Sequence, residues 1–461
     1  MTRRQQKNDT SSASPTETRG EASSADEVRA ELVKAVDDPQ SPAATERIME
    51  VICERKNLFR ALERVKSNKG APGVDGMTVE ELPKFLKRTW LQIREQLMTG
   101  TYQPKPVRRV EIEKPSGGMR QLGIPTVVDR FIQQAMLQAL QPLWDPTFSD
   151  HSYGFRPGRS QHQAVALAQQ YVGEGYDWVV DLDLEKFFDR VNHDMLMARV
   201  ARRVSDKRVL RLIRAFLEAG ILVGGLVSPP EGEGVPQGGP LSPLLSNLFL
   251  DELDRELERR GHRFVRYADD VNVYVRTERA GHRVMEGLKK WIGKKLKLKT
   301  NEKKSRVARV NQSRFLGFTI TLGQRPRRRV SAQSLQRLKD RVRRLTRRSQ
   351  GRSLVSVITH LSSYLQGWFA YYRFAEQVKL FRDLDSWIRR RLRSYAWTQW
   401  KTLKRRRGAL MELGLKASEA STLAYAGCRH GAWVMSMTTG LHMALSNKYF
   451  RKQKLFIMSE K

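Results

Sequence analysis

Along residues 177–184 and 264–275, apolar and polar side chains alternate nearly one for one. Val180, Leu182 and Leu184 alternate with Asp181 and Asp183, and Val271, Val273 and Val275 with Asn272 and Tyr274. That period of two is the mark of a half-buried strand. Phe264 and Val265 open a shorter strand ahead of the second run, so a tight hairpin is expected there, with Asp269 and Asp270 at or beside its tip. Elsewhere the period lengthens to that of a helix. Leu245, Phe249, Leu253 and Leu257 share one face of a helix within 240–260. Leu335, Leu338, Val342 and Leu345 form a second stripe, and Leu354, Val357, Leu361, Tyr364 and Trp368 a third.

The pattern divides the chain. Residues 1–45, rich in Ser, Thr, Ala and Glu and without an aromatic residue, cannot bury enough surface to offset ordering entropy and read as a disordered tail. A helical extension over 46–100 holds a Gly/Pro-rich loop at 67–78. From 101 to 325 short strands alternate with helices, which predicts an α+β domain. Beyond 326 the strand signal fades into amphipathic helices, divided here into 326–400 and 401–461.

Charge narrows the function. Lys and Arg number 84 against 49 Asp and Glu, a formal net charge of +35, and a polyanionic partner, above all nucleic acid, explains such an excess. Cys53 and Cys428 stand far apart and outside any CxxC pair, which argues against a disulfide framework or zinc module and suits a reducing cytoplasm. The most apolar stretch, near 212–227, carries Arg214 and Glu218, so no membrane span is expected.

Against that charge, the acids of 181–183 and 269–270 stand out. Asp181 and Asp183 project from one side of their strand. If that strand lies beside the hairpin, Asp183, Asp269 and Asp270 converge. Their repulsion is tolerable when divalent cations neutralise it, and an all-oxygen cluster suits Mg²⁺. Two such ions can activate an attacking hydroxyl and stabilise a leaving phosphate oxygen.

The order and company of these pieces resemble the reverse transcriptase palm, and more narrowly the reverse transcriptase–maturases encoded by bacterial group II introns. "QLGIPTVVDRFIQQAMLQAL" and "DPTFSDHSYGFRPGRSQHQAV" are similar to that family's fingers segments. "VVDLDLEKFFDRVNHDML", "GVPQGGPLSPLLSNLFLDELD", "RYADD", "LKTNEKKS" and "SRFLGFTI" follow in the order of its palm motifs. "HLSSYLQGWFAYYRFAE" and "RRRLRSYAWTQWK" resemble its maturase-specific region. The resemblance implies a right-hand polymerase: α+β fingers and palm around an antiparallel sheet, an α-helical thumb, and a small helical maturase domain.

It also implies roles. Asp183 and Asp269 would be direct metal ligands and Asp270 their support, with Asp181 a structural carboxylate nearby. Phe188 falls where reverse transcriptases keep a steric gate against the ribose 2′-OH; the alternative is a core residue beside Phe187. Gln237, Gly238 and Gly239 would line the incoming nucleotide and template, or form an ordinary loop before a helix. Lys304 would protonate or offset the leaving pyrophosphate, with Lys303 a rival and a solvated lysine the plain alternative. Arg120 and Arg130 are candidate triphosphate or template contacts, and Arg156 and Arg159 candidate phosphate or RNA contacts. Arg343, Arg344, Arg389, Arg390, Arg391 and Arg393 are candidate RNA contacts on the basic helices, whose aromatic residues either stack on bases or pack the bundle. His193 reads as a helix start beside Asn192 or Asp194.

The expected function is RNA-directed DNA polymerisation with two Mg²⁺ ions on an RNA template with a DNA primer. To this the family adds binding of the parent intron RNA as a splicing maturase, and action with it on a DNA target in intron mobility. The C-terminus shows no Cys pairs and no His-Asn-His cluster, so an endonuclease domain is not expected. An RNA-dependent RNA polymerase, a splicing factor with a vestigial polymerase, and a non-mobile or defence reverse transcriptase are the rivals. Phe188 and the family motifs oppose the first, and the intact acids oppose the second.

Overall fold

The computed structural model describes residues 45–113, 119–223, 226–228, 232–235 and 238–460; the expected tail therefore lies, but for its last residue, outside the described residues. The strands in chain order are β1 (Val107–Glu113), β2 (Met119–Ile124), β3 (Trp178–Leu182), β4 (Ile221–Val223), β5 (Leu226–Ser228), β6 (Arg263–Tyr267), β7 (Asp270–Val275), β8 (Arg306–Arg309), β9 (Phe318–Ile320) and β10 (Arg328–Val330). The chain forms two compact units and crosses between them repeatedly. The first runs to Gly158 and returns at Leu184–Arg259 and Trp291–Thr300; the second comprises Arg159–Asp183, Arg260–Lys290 and Asn301–Lys461. The stretch 101–325 is thus shared between both.

In the first unit the helical extension consists of Ile48–Ile52, Arg55–Asn68 and Leu82–Thr99. Asn57, buried at 2% exposure, ties it to the helix Val127–Trp144 by donating its side-chain amide to the Ala135 carbonyl at 3.0 Å. That helix starts where Thr126 Oγ1 accepts the Asp129 N–H, an N-cap of the usual kind. The sheet has the order β2-β1-β4-β5, with β1 antiparallel to β2 and parallel to β4. The helix Ser242–Arg259 buries Leu245, Phe249, Leu253 and Leu257, the stripe read from the sequence.

In the second unit the sheet order is β6-β7-β3-β8 and every pair is antiparallel. The helix Gln161–Gly173 opens at a full capping box between Ser160 and Gln163, two orphan N–H groups satisfied reciprocally. It lies against the sheet through Tyr171, whose ring centre is 5.7 Å from that of Tyr274. After the β9–β10 ladder come the helices Ala332–Leu345, Leu354–Tyr372, Val378–Gln399 and several shorter ones. Leu338 and Val342 of the first C-terminal stripe and Val357 and Leu361 of the second are buried, whereas Leu335, Leu345, Leu354, Tyr364 and Trp368 are half-buried; Ile358, Leu365 and Phe369 complete the buried face of Leu354–Tyr372 instead. Tyr395 and Trp397 pack this bundle, each at 1% exposure. Gly427 has no side chain because a Cβ would collide with the Trp397 ring. Among the described residues, no helix is long and apolar enough to cross a membrane.

Candidate active site

Between β3 and β7 the register sets Asp181 across from Asn272 and Leu182 across from Val271. Continued by one residue, it sets Asp183 across from Asp270, the first residue of β7. Residues two apart on a strand share a face, so Asp181, Asp183, Asp270 and Asn272 look out of one side of the sheet. The other side is apolar: Val180, Leu182, Val271 and Val273 are each at most 1% exposed.

Strands β6 and β7 are joined by Ala268 and Asp269 alone, inside the closing pair Tyr267–Asp270. This is the hairpin that the alternation predicts. Ala268 has φ +58°, a left-handed conformation that costs a residue with a Cβ roughly 1–2 kcal/mol. The turn leaves Asp269 at the tip.

A loop clamps Asp183 from the other side. Its N–H donates to Ser305 Oγ at 3.1 Å, and its carbonyl accepts the Asn301 N–H at 2.8 Å. That clamp brings Lys304 round, with Nζ 3.5 Å from Asp183 Oδ2. Asp181 pairs instead with Arg306, its register partner on β8, at 3.7 Å. Burial raises the Asp181 carboxyl above its ordinary range while Arg306 opposes the rise. For Asp270, burial and then the carboxylates of Asp269, Asp181 and Asp183 push the pKa up to about 7. The Asp270 side chain is itself exposed at the start of β7, so the three carboxylates crowded beside it are the firmer cause of that rise.

Asp181, Asp183 and Asp270 open onto a cleft of about 570 Å³ that Lys303, Lys304, Arg306, Arg314 and Arg337 also line. The carboxylates offer oxygen donors only, the set that Mg²⁺ takes, and a dication would relieve the repulsion that lifts Asp270. Among the described residues, no three His, Cys, Asp or Glu side chains are gathered closely enough to hold a metal as they stand; Asp183 is turned to Lys304. The set fits the ion by its chemistry and needs side-chain rotation to close on it. Size alone does not mark the site. A larger cleft of about 760 Å³ in the first unit is lined by Arg208, Arg211 and Arg214, of which Arg208 and Arg214 are committed to Asp206, Glu50, Asp194 and Glu218.

The remaining nucleotide candidates belong to the first unit. Phe187, at 2% exposure, packs the core with its ring centre 6.3 Å from that of Phe249, while Phe188 is only half-buried. Gly238 has φ +135°, and a Cβ there would collide with the Gly123 carbonyl oxygen, so only glycine fits. Gln237 lies outside the described residues. Arg120 stands on β2 opposite Ile112, with its side chain outside them. Arg130 is used structurally, donating to the Ala71 carbonyl at 2.7 Å and bracing the Gly/Pro loop. His193 is buried behind its N-cap Asn192, its Nε2 2.7 Å from the Gly234 carbonyl oxygen, as the helix-start reading has it.

Two arginines expected on RNA are not available to it. Arg156 is 7% exposed and spends its guanidinium on Asp145, on the Ser149 and Ser152 carbonyls and on the Asp145 carbonyl, at 2.6–3.0 Å. Arg393 is 5% exposed and donates Nε to the Leu445 carbonyl at 3.0 Å; burial, then Arg389, lowers its pKa to about 10. Both hold loops and helices together. Arg391 is partly committed, donating to Thr346 Oγ1 at 2.7 Å, and Arg390 lies 3.9 Å from the Trp433 ring centre. Arg343 is exposed and paired with Asp340 at 2.7 Å. Arg344 is exposed, and Arg159 and Arg389 are half-buried.

Sequence reasoning missed Arg306, Arg314 and Arg337 in the cleft, and the Asn301–Ser305 clamp. Carrying the period-two phase into "RVAR" would have pointed to Arg306.

Residues 112–320 match the family model for reverse transcriptase (RNA-dependent DNA polymerase), and residues 335–414 that for the group II intron maturase-specific domain. The chain is similar to Protein YkfC of Escherichia coli, 42% identical over 221 residues, covering 47% of this chain and 58% of that protein. It is also similar to the group II intron-encoded protein LtrA of Lactococcus lactis subsp. cremoris, 31% identical over 328 residues, covering 57% of this chain and 54% of that one. The chain thus spans a little over half the length of these relatives.

Proposed function

This chain belongs to the reverse transcriptase family and carries the group II intron maturase-specific domain, and on that premise we propose that it copies RNA into DNA and binds its intron RNA as a maturase. The observation that carries the reading is the meeting of Asp183 and Asp270 across the β3–β7 ladder, with Asp269 at the adjoining turn and Lys304 on Asp183. Two Mg²⁺ ions held by Asp183 and Asp269, with Asp270 in support, would supply the charge that activates a primer hydroxyl and stabilises the leaving oxygen.

The chain's own residues do the rest. Lys304, released from Asp183, meets the departing pyrophosphate as a proton donor or counter-charge. Phe188 presents a ring under the sugar and excludes a ribose 2′-OH. The glycine at 238 lets backbone amides approach the incoming nucleotide and template. Arg159, Arg343, Arg344, Arg389 and Arg390 hold RNA phosphates, and in mobility the protein acts with its excised intron on a DNA target.

Asp183→Ala and Asp269→Ala test this directly. Each should abolish dTTP incorporation on poly(rA)/oligo(dT) and leave intron RNA affinity nearly intact, since neither removes a basic contact. Polymerisation that persists in either folded variant overturns the assignment.

A further inference from the structure

A charged side chain is sealed beneath the acidic hairpin. Arg266 stands on β6 opposite Val271, in phase with Phe264 and hence on the apolar side of the sheet, with Leu182 and Val273 among the side chains of that face. It is 0% exposed. Removing a guanidinium from water is expensive, and an apolar residue of similar volume is often at least as stable in such a place. The charge there calls for a reason other than burial.

The geometry supplies one. Arg266 Nη1 donates to the Ala268 carbonyl oxygen at 3.0 Å. Ala268 is the hairpin residue at φ +58°, a conformation in which alanine does not rest by preference. Its carbonyl and the N–H of Asp269 belong to one planar peptide. Fixing the oxygen fixes the plane, and the plane sets the direction in which the Asp269 side chain leaves the backbone.

We infer that Arg266 is a positioning residue: from the dry side of the sheet it holds the strained turn so that Asp269 presents its carboxylate to metal on the wet side. The inference rests on the polymerase reading above. It adds that the geometry of the acid tip is imposed from beneath, by a residue that touches neither nucleic acid nor metal.

The test uses Arg266→Met, an apolar replacement of similar length, alone and combined with Ala268→Gly, because glycine adopts φ > 0 without strain. Arg266→Met should fold, with near-native circular dichroism and template–primer affinity. Its kcat for primer extension should fall by about tenfold or more, as expected of a misplaced ligand. Its half-saturating Mg²⁺, and its Mn²⁺ affinity read by electron paramagnetic resonance, should weaken by about tenfold. Adding Ala268→Gly should recover much of both losses. If Arg266→Met does not fold, Arg266→Lys keeps the charge and one donor, and should show the same metal shift in smaller measure with the same glycine rescue. A folded Arg266 variant with wild-type Mg²⁺ and Mn²⁺ dependence overturns the inference, as does a loss that the glycine leaves untouched. Either result leaves the polymerase reading standing, whereas an inactive wild-type protein removes that reading itself.

Discussion

Lys304 and Asp183 form an ion pair at the edge of the cleft, ammonium to carboxylate oxygen at 3.5 Å, and the same loop that carries Lys304 grips the Asp183 backbone through Asn301 and Ser305. The lysine is 64% exposed, and such a pair contributes at most about 1 kcal/mol to stability. Its removal should therefore be read in turnover. Lys304→Ala should melt as the wild type does and lose about 10²-fold in kcat, with Lys303→Ala much closer to wild type. Steady-state extension with the two variants side by side decides it; equal losses would deny Lys304 a separate role.

Phe188 is half-buried, its ring centre 5.1 Å from that of the core residue Phe187, and the steric-gate proposal for it can be tested against a packing role. Phe188→Ala should raise the ratio of rNTP to dNTP incorporation, whatever it does to the overall rate. Single-nucleotide extension with matched rNTP and dNTP series gives the ratio. An unchanged ratio in a folded variant returns Phe188 to packing.

The arginines expected on RNA now separate into two classes. Arg393→Gln removes a buried donor to the Leu445 carbonyl, and Arg156→Gln breaks a buried cluster of hydrogen bonds; each should cost about 2 kcal/mol or more in stability. The triple change of Arg343, Arg344 and Arg389 to Gln should leave the melting temperature nearly unchanged. It should flatten the fall of log RNA affinity with log salt by about 0.7–0.9 for each phosphate that the protein no longer neutralises. Thermal melts and filter binding across a salt series measure both. An unchanged slope in the triple variant makes these arginines a solvated face.

Gly238→Ala should be poorly tolerated, because its φ of +135° strains any other residue and the Gly123 carbonyl oxygen already occupies the space that a methyl group would need. Activity should fall well below that of Gly232→Ala, whose position has φ +74° but nothing within 4 Å. Comparing the two separates close approach from backbone strain. Equal activity would mean that the β2 strand yields at little cost.

What the sequence displayed best was local. The period-two runs gave β3, β7 and the hairpin between β6 and β7, and the 3.6 period gave the helix whose Leu245 and Phe249 are buried, because each pattern is written within a dozen residues. The facing of Asp183 and Asp270 followed once those strands were paired. The parallel match of Val107 with Ile221, and the sharing of 101–325 between two units, depend on pairings across a hundred residues that no local period records. Arginines were the least legible. Arg156, Arg266 and Arg393 are buried and Arg344 is exposed, yet in a chain with 84 basic residues the letter is the same. Of these four, only Arg266 carried a signal, the phase that puts it on the same side as Phe264.

The central strand β3 is flanked by β7 and β8, both made long after it. On a ribosome, residues 178–182 emerge with Val179, Val180 and Leu182 already written, while their last partner, 306–309, follows about 125 residues later, roughly 6–25 s at ordinary elongation rates. Until β7 is made the nascent chain carries an apolar strand with both hydrogen-bonding edges open, and until β8 follows one edge stays open, the kind of segment that aggregates or recruits a chaperone. Translation speed through 183–305 should therefore affect the yield of folded protein, and synonymous codon changes in that stretch become a variable to control in any expression of this chain.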